Sequence, residues 1–101
     1  MKYQTGKTFT NALGEPFKTQ KGEEETFQTV AATALLADVD GSNQPTKASE
    51  KMKRFDLWIK IKQAEGEVEL TSEEVSLLAS AAEIFSTILY GQFKYFLDQR
   101  G

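Results

Sequence analysis

The chain has 101 residues, 40% of them hydrophobic and 27% charged, with a net charge of -3, which is typical of one ordinary globular domain. It contains no cysteine and no histidine. Disulfides and thiolate sites are therefore excluded, and the commonest general base and transition-metal ligand are missing. No apolar run approaches the ~20 residues of a membrane span, and residues 1–6 do not lead into a signal peptide. We therefore expect a single domain, 1–101, located in the cytoplasm.

Residues 1–22 are polar and rich in glycine. A turn around Gly14 and Pro16, between Phe9 and Phe17, predicts a small irregular hairpin, because glycine suits the turn and proline is tolerated only at a strand edge or start. An isolated hairpin is marginal in water. Its apolar side chains are therefore expected to pack on the rest of the chain.

The glutamates Glu23–Glu25 are expected to open the first helix, since carboxylates favour the positive end of a helix dipole. Apolar residues then recur with the period of a helix and form one stripe: Phe27, Val30, Ala31, Ala34 and Leu35. The pattern predicts a helix from Glu23 to about Ala37.

The segment 38–45 has the composition of a loop. Its first five residues resemble the opening of a calcium-binding loop. However, glycine stands at the fourth position instead of the sixth, and Ser49 occupies the position of the bidentate glutamate. We therefore expect an interhelical turn, with no metal site.

A second helix is predicted from Thr46 to Gln63, with Asp56 and Lys60 spaced as an i,i+4 ion pair. Its first apolar face is expected to consist of Ala48, Met52, Phe55 and Ile59. After Gly66, residues 67–70 alternate between polar and apolar and predict a short strand beside the N-terminal hairpin.

The clearest local signal is a capping box, in which Thr71 caps a third helix and Glu74 reaches back to it. A break at Ser86, which is expected to act as a cap, separates this helix from a last one that extends from Thr87 to about Leu97. The predicted fold class is α+β and mostly helical. About four helices form the core over residues 23–98, and the hairpin and the strand 67–70 form a two- or three-stranded antiparallel sheet.

No catalytic constellation is present. The sequence lacks G-x-S-x-G, S-x-x-K and a glycine-rich phosphate loop. Its acidic residues lie mainly on polar helix faces, at a helix start or on the alternating strand, where no pair is held together in a cleft. We expect no enzyme activity and no cofactor.

The second helix contains the first candidate partner-binding group. It consists of basic residues interleaved with an aromatic: Lys47, Lys51, Arg54 and Trp58. Such side chains can contact phosphate and stack on a base. The alternative is that Trp58 joins Leu57 and Ile61 in a second core face along which the basic side chains extend.

The last helix contains the second candidate group: Tyr90, Phe93 and Tyr95. Together with Phe85 and Phe96 they make this stretch richer in aromatic residues than a domain of this size easily buries. Surplus aromatic side chains at a helix surface are typical of interfaces. The alternative is that they complete a small core.

Ordered short stretches carry a resemblance to a known family. They are residues 49–57, 59–61, 67–75, 90–92 and 96–97, with 34–37 and 13–17 matching the end of the first helix and the N-terminal turn. These stretches are similar to a family of small accessory proteins encoded by tailed bacteriophages and prophages. The family usually has a Gly-Pro break after its third helix, where this chain has Ser86-Thr87. The resemblance implies a phage-type gene and a small, mostly helical α+β domain, without known catalytic residues or cofactor.

We therefore expect a non-enzymatic accessory protein in the cytoplasm of a bacterial host or associated with the virion. It would act on a phage or host protein, or on itself, in head or tail assembly or as a host-directed factor. The alternative is a nucleic-acid-binding regulator that uses the basic and aromatic face of helix 46–63. The negative net charge disfavours this alternative, because it provides no overall positive field. Neither a membrane nor a small-molecule substrate is expected as a partner.

Overall fold

The computed structural model describes residues 1–37 and 44–99. Their elements are, in chain order, β1 (Lys2–Gln4), α1 (Phe27–Leu35), α2 (Ala48–Gln63), β2 (Glu67–Glu69), α3 (Ser72–Ala81), a 3₁₀ turn (Ala82–Ile84) and α4 (Thr87–Leu97). The predicted mostly helical α+β fold is confirmed. The calcium-like opening of the segment 38–45 lies outside the described residues.

The sheet joins β1 to β2 in antiparallel register, with Tyr3 opposite Val68. Both of these side chains are buried while their strand neighbours are exposed, as expected for a sheet with one covered face. The strand predicted after Gly66 is therefore present. Its partner, however, is the segment before the N-terminal hairpin and not the hairpin itself.

The N-terminal turn forms the expected irregular hairpin. The Phe17 N–H donates to the Phe9 carbonyl over 3.0 Å. Asn11 organises the turn by accepting a hydrogen bond from the Leu13 N–H (2.9 Å), and Gly14 adopts a φ of 82°. Phe9 is thereby buried in the core and Phe17 packs against it. Leu13, at the tip of the turn, is 82% exposed, so the expectation that the apolar side chains of the hairpin pack on the rest of the chain is wrong for Leu13.

The prediction that Glu23–Glu25 open the first helix is wrong. These residues form the second arm of another tight turn, in which the Glu25 N–H donates to the Phe17 carbonyl over 2.7 Å and Gly22 has a φ of 84°. α1 begins only after them, because Thr26 and Thr29 form a reciprocal capping box. The predicted apolar stripe of α1 is buried throughout.

α3 and α4 follow the prediction closely. The Glu74 N–H donates to Thr71 Oγ1 over 3.1 Å, and the Thr71 N–H donates to Glu74 Oε1 over 2.9 Å, so the capping box is confirmed. The break falls at Ser86, although its side chain makes no capping hydrogen bond.

The centre of the core is aromatic. The Phe27 ring lies 5.6 Å from Phe93 and 5.0 Å from Phe96, and the Tyr3 ring lies 5.5 Å from Phe96. Offset and edge-on ring pairs at such distances add to the burial of their apolar surface. The core therefore joins the first third of the chain to its last helix.

Candidate partner-binding surfaces

The side of α2 that faces the core is the one with Leu57 and Ile61, opposite the first apolar face predicted from the sequence. Leu57 and Ile61 are buried, whereas 60% of Met52 and 44% of Phe55 are exposed. The first apolar face predicted for α2 therefore lies largely at the surface, and the alternative core face with Leu57 and Ile61 is the buried one. One cause is Gln28 of α1, whose side-chain amide donates to the Ile61 carbonyl over 2.9 Å and thereby helps to fix the end of α2 against α1.

Arg54 belongs to the buried side of α2. Only 1% of the residue is exposed, and none of its guanidinium nitrogens has a hydrogen-bond partner among the described residues. Within the described residues its one ion pair is with Glu50, at 3.6 Å between Nη2 and Oε2. Arg54 follows the spacing of Leu57 and Ile61, so helix geometry carries it inward. It is therefore removed from the candidate partner-binding residues.

Of the other three residues in this candidate group, Lys47 and Lys51 lie at the surface and Trp58 lies partly in the interior. Lys47 and Lys51 are exposed at the N-terminal half of α2. Trp58 is half-buried against the core, its ring is 5.5 Å from that of Phe55, and Lys62 Nζ lies 4.8 Å from its centroid. The structure thus leaves two exposed lysines and a partly covered indole, without an arginine between them.

The three aromatic candidates of α4 also occupy different environments. Phe93 is fully buried between Phe27 and the N-terminal hairpin, so it completes the core and is removed from the candidate surface. Tyr90 is half-buried, and 57% of Tyr95 is exposed. Tyr95 is therefore the most accessible of the three.

Tyr95 lines a groove between β1, the hairpin and α4, which we call the β1–α4 groove. Its volume is about 530 Å³, and its lining includes Lys2, Lys7, Phe9, Gln92, Tyr95 and Phe96. Apart from Tyr95, these residues were not among the sequence candidates. No local pattern marks the groove, because its walls come from opposite ends of the chain.

Side-chain amides tie the walls of the β1–α4 groove together. Gln92 donates to the Thr10 carbonyl over 2.6 Å and accepts from the Thr10 N–H over 3.0 Å. Gln99 donates to the Lys2 carbonyl over 3.1 Å. Because Tyr3 pairs with Val68, the backbone groups of the β1 residues on either side of Tyr3 point away from β2. The outer edge of β1 is therefore part of the groove.

In the part of the chain that the structure describes, no three acidic side chains are grouped closely enough to hold a metal ion. None of the helices described has the length and apolar character that crossing a membrane requires. Comparisons with protein-family models, with curated proteins and with solved structures give no significant match to this chain.

Proposed function

We propose that the chain is a non-enzymatic, phage-type accessory protein that binds a partner protein through the β1–α4 groove, in head or tail assembly or as a host-directed factor. The observation that carries the proposal is the accessible Tyr95 above an aromatic groove floor that includes Phe9 and Phe96. Apolar grooves rimmed by polar groups are sites at which segments of partner proteins dock. The phage-type origin is supported by the ordered short stretches that resemble phage accessory proteins.

The lining of the groove favours a particular kind of partner segment. Lys2 and Lys7 line it, and none of the described lining residues is acidic. Lys2 Nζ lies 4.0 Å from Glu67 Oε1, whereas Lys7 forms no ion pair within the described residues. This local positive charge lies on a chain of net charge -3. An extended, acidic segment of the partner would complement Lys7 and lie in the groove along the outer edge of β1, where Gln99 already bonds the Lys2 carbonyl.

Site-specific photo-crosslinking tests this proposal. A photoreactive phenylalanine at position 95, in protein produced in the bacterial host during phage growth, is expected to give one dominant crosslinked protein that mass spectrometry identifies. The Lys7→Glu substitution in the same protein should abolish this crosslink, since it replaces attraction by repulsion at the groove. The probe at exposed Ser80 is the matched control. Equal crosslinking from positions 80 and 95, or none from position 95, would contradict the proposal.

The second candidate function is nucleic-acid binding by α2. The exposure of Lys47 and Lys51 on one half of the helix favours it, whereas the burial of Arg54 removes its strongest phosphate ligand. This function predicts binding to DNA or RNA that weakens steeply with salt and is lost in a Lys47→Glu, Lys51→Glu variant. Fluorescence anisotropy with labelled oligonucleotides over a salt series measures it, and the absence of salt-dependent binding rejects it.

A further inference from the structure

The exposed side of α2 is an apolar stripe, which we call the α2 seam: Ala48, Met52, Phe55 and Ile59. Ala48, Met52 and Phe55 are exposed and Ile59 is half-buried. The steps of four, three and four residues between them are those of a coiled-coil seam. α2 therefore has two apolar sides, and the fold of the described residues uses only the one with Leu57 and Ile61.

The α2 seam lies on the side of α2 that the described elements leave largely exposed. On a helical wheel the α2 seam lies opposite Leu57 and Ile61, so the body of the protein stands behind it. Beside it, Leu36 at the end of α1 is 49% exposed and lines a shallow hollow of about 260 Å³ together with Met52 and Phe55. This hollow widens the apolar surface on one side of the α2 seam.

Two opposite charges flank the α2 seam. With Met52 and Ile59 at the a positions and Phe55 at d, Lys51 takes a g position and Asp56 the following e position. Both are exposed, and neither forms an ion pair within the described residues. The pairing of Asp56 with Lys60 expected from their spacing does not form, because Lys60 Nζ instead contacts Glu74 Oε1 at 2.7 Å.

The positions of Lys51 and Asp56 favour a second copy of this chain as the partner of the α2 seam. In a parallel pair of helices, each g residue meets the e residue that follows it on the partner helix. Lys51 of one copy would then lie beside Asp56 of a second copy, and twofold symmetry repeats the pair. In an antiparallel pair g meets g and e meets e, so Lys51 would face Trp58 and Asp56 would face Ser49, and no ion pair would form.

From this complementarity we infer that a second copy of this chain docks on the α2 seam, in a parallel homodimer closed by two Lys51–Asp56 ion pairs. The apolar layers are Met52 against Met52, Phe55 against Phe55 and Ile59 against Ile59. A seam of about two heptads buries less than a standard-size interface. The dimer is therefore weak and reversible. The β1–α4 groove takes no part in it, so dimerisation does not depend on the proposed partner.

Charge exchange between two variants tests the dimer by sedimentation equilibrium on the full chain. Lys51→Asp alone and Asp56→Lys alone should each weaken self-association at least about tenfold, because like charges then meet across the α2 seam. An equimolar mixture of the two variants should restore association, since in the mixed dimer one ion pair forms with reversed polarity between the two substituted positions and the other is the original Lys51–Asp56 pair. The double variant Lys51→Asp, Asp56→Lys should also dimerise as the unchanged chain does.

Control variants test whether the effect is specific to the α2 seam and whether each variant is folded. Lys53→Asp makes the same charge change on α2 away from the α2 seam and should leave association unchanged, whereas Phe55→Glu should abolish it. All substituted positions are exposed, and circular dichroism verifies that each variant is folded. A monomeric unchanged chain, or a mixture that associates no better than its components, would overturn the inference. Lys7→Glu in the β1–α4 groove should leave the dimer intact, so the two proposals fail independently.

Discussion

At the scale of single residues, Arg54 stands out because a charged side chain is buried. Its guanidinium is buried, and its single carboxylate partner, Glu50, is held at 3.6 Å without a hydrogen bond from the described residues. Removing a charge from water costs several kcal/mol in real proteins, and a single distant ion pair offsets only part of that cost. Arg54 is therefore expected to destabilise the fold relative to an apolar side chain of similar length.

The Arg54→Met variant tests this expectation. Methionine fills a similar space without a charge, so we predict that the free energy of unfolding rises by about 1–3 kcal/mol. Urea denaturation, with the midpoint compared at unchanged slope, measures the effect. Lys53→Met, at the exposed neighbouring position, is the matched control and should change stability by less than about 0.5 kcal/mol. A clear loss of stability in Arg54→Met would show that the guanidinium makes a favourable interaction.

At the scale of elements, Glu74 joins the start of α3 to α2. Its carboxylate accepts from the Thr71 N–H and from Lys60 Nζ, at 2.9 Å and 2.7 Å. Partial burial raises the pKa of Glu74. The hydrogen bonds from Lys60 and Thr71, together with the charge of Lys60, outweigh burial and hold the pKa below its ordinary value. The ionised form is therefore the one that stabilises the folded chain.

This lowered pKa predicts the direction of the acid response. Stability from Glu74 is fully present above the ordinary glutamate pKa of 4.5 and is lost as the pH falls through the lower folded-state pKa. Glu74→Gln should therefore cost about 0.5–1.5 kcal/mol at pH 7. In acid the cost should shrink, which a series of urea titrations at decreasing pH measures. Glu73→Gln removes a neighbouring exposed carboxylate as a control, and a cost that does not depend on pH would contradict the assignment.

At the scale of the whole molecule, Tyr3 connects the two ends of the described chain. Its hydroxyl donates to the Leu97 carbonyl over 2.5 Å in the buried core, and its ring packs on Phe27 and Phe96. Leu97 ends α4, where carbonyls lack partners within the helix. One side chain therefore joins the sheet to the last helix and satisfies a buried acceptor.

Tyr3→Phe is expected to keep the ring packing and to lose the hydrogen bond to the Leu97 carbonyl, together with the weak contact of the hydroxyl with Met1 Sδ at 3.7 Å. Because the Leu97 carbonyl is then buried without a donor, we predict a loss of about 1–2 kcal/mol in the free energy of unfolding, measured by urea denaturation. Tyr90→Phe is the control, since the Tyr90 hydroxyl has no hydrogen bond to any of the described residues, and the stability of this variant should change by less than about 0.5 kcal/mol. Equal effects of the two substitutions would show that the Leu97 bond contributes nothing.

Tyr3 also predicts the response of the fold to alkali. Burial, and to a lesser degree the Asp98 carboxylate, raise the pKa of Tyr3 above its ordinary value of 10.0. The stability associated with neutral Tyr3 is therefore present below pH 10 and lost as the pH rises through the folded-state pKa. This alkaline loss should be smaller in Tyr3→Phe than in the unchanged chain, again measured by urea denaturation.

The local features of this protein follow from its sequence. The capping box at Thr71, the break at Ser86 and the period of the apolar stripe of α1 depend on neighbours within a turn or two of the same helix. Such interactions form wherever the segment lies in the fold. The mostly helical content was predictable for the same reason. The alternation of residues 67–70 predicted the short strand, although not its partner β1.

Only the tertiary structure decided which surfaces are candidates for binding. α2 has two sides that each carry apolar residues at helical spacing. Packing on α1 buries the side with Leu57, Ile61 and Arg54, and the side with Met52 and Phe55 stays exposed. The β1–α4 groove forms only when the fold brings Lys7 and Tyr95, which are far apart in the sequence, to the same surface. Helix periodicity shows that an apolar side exists, but which of two sides is buried depends on the free energy of packing against distant elements.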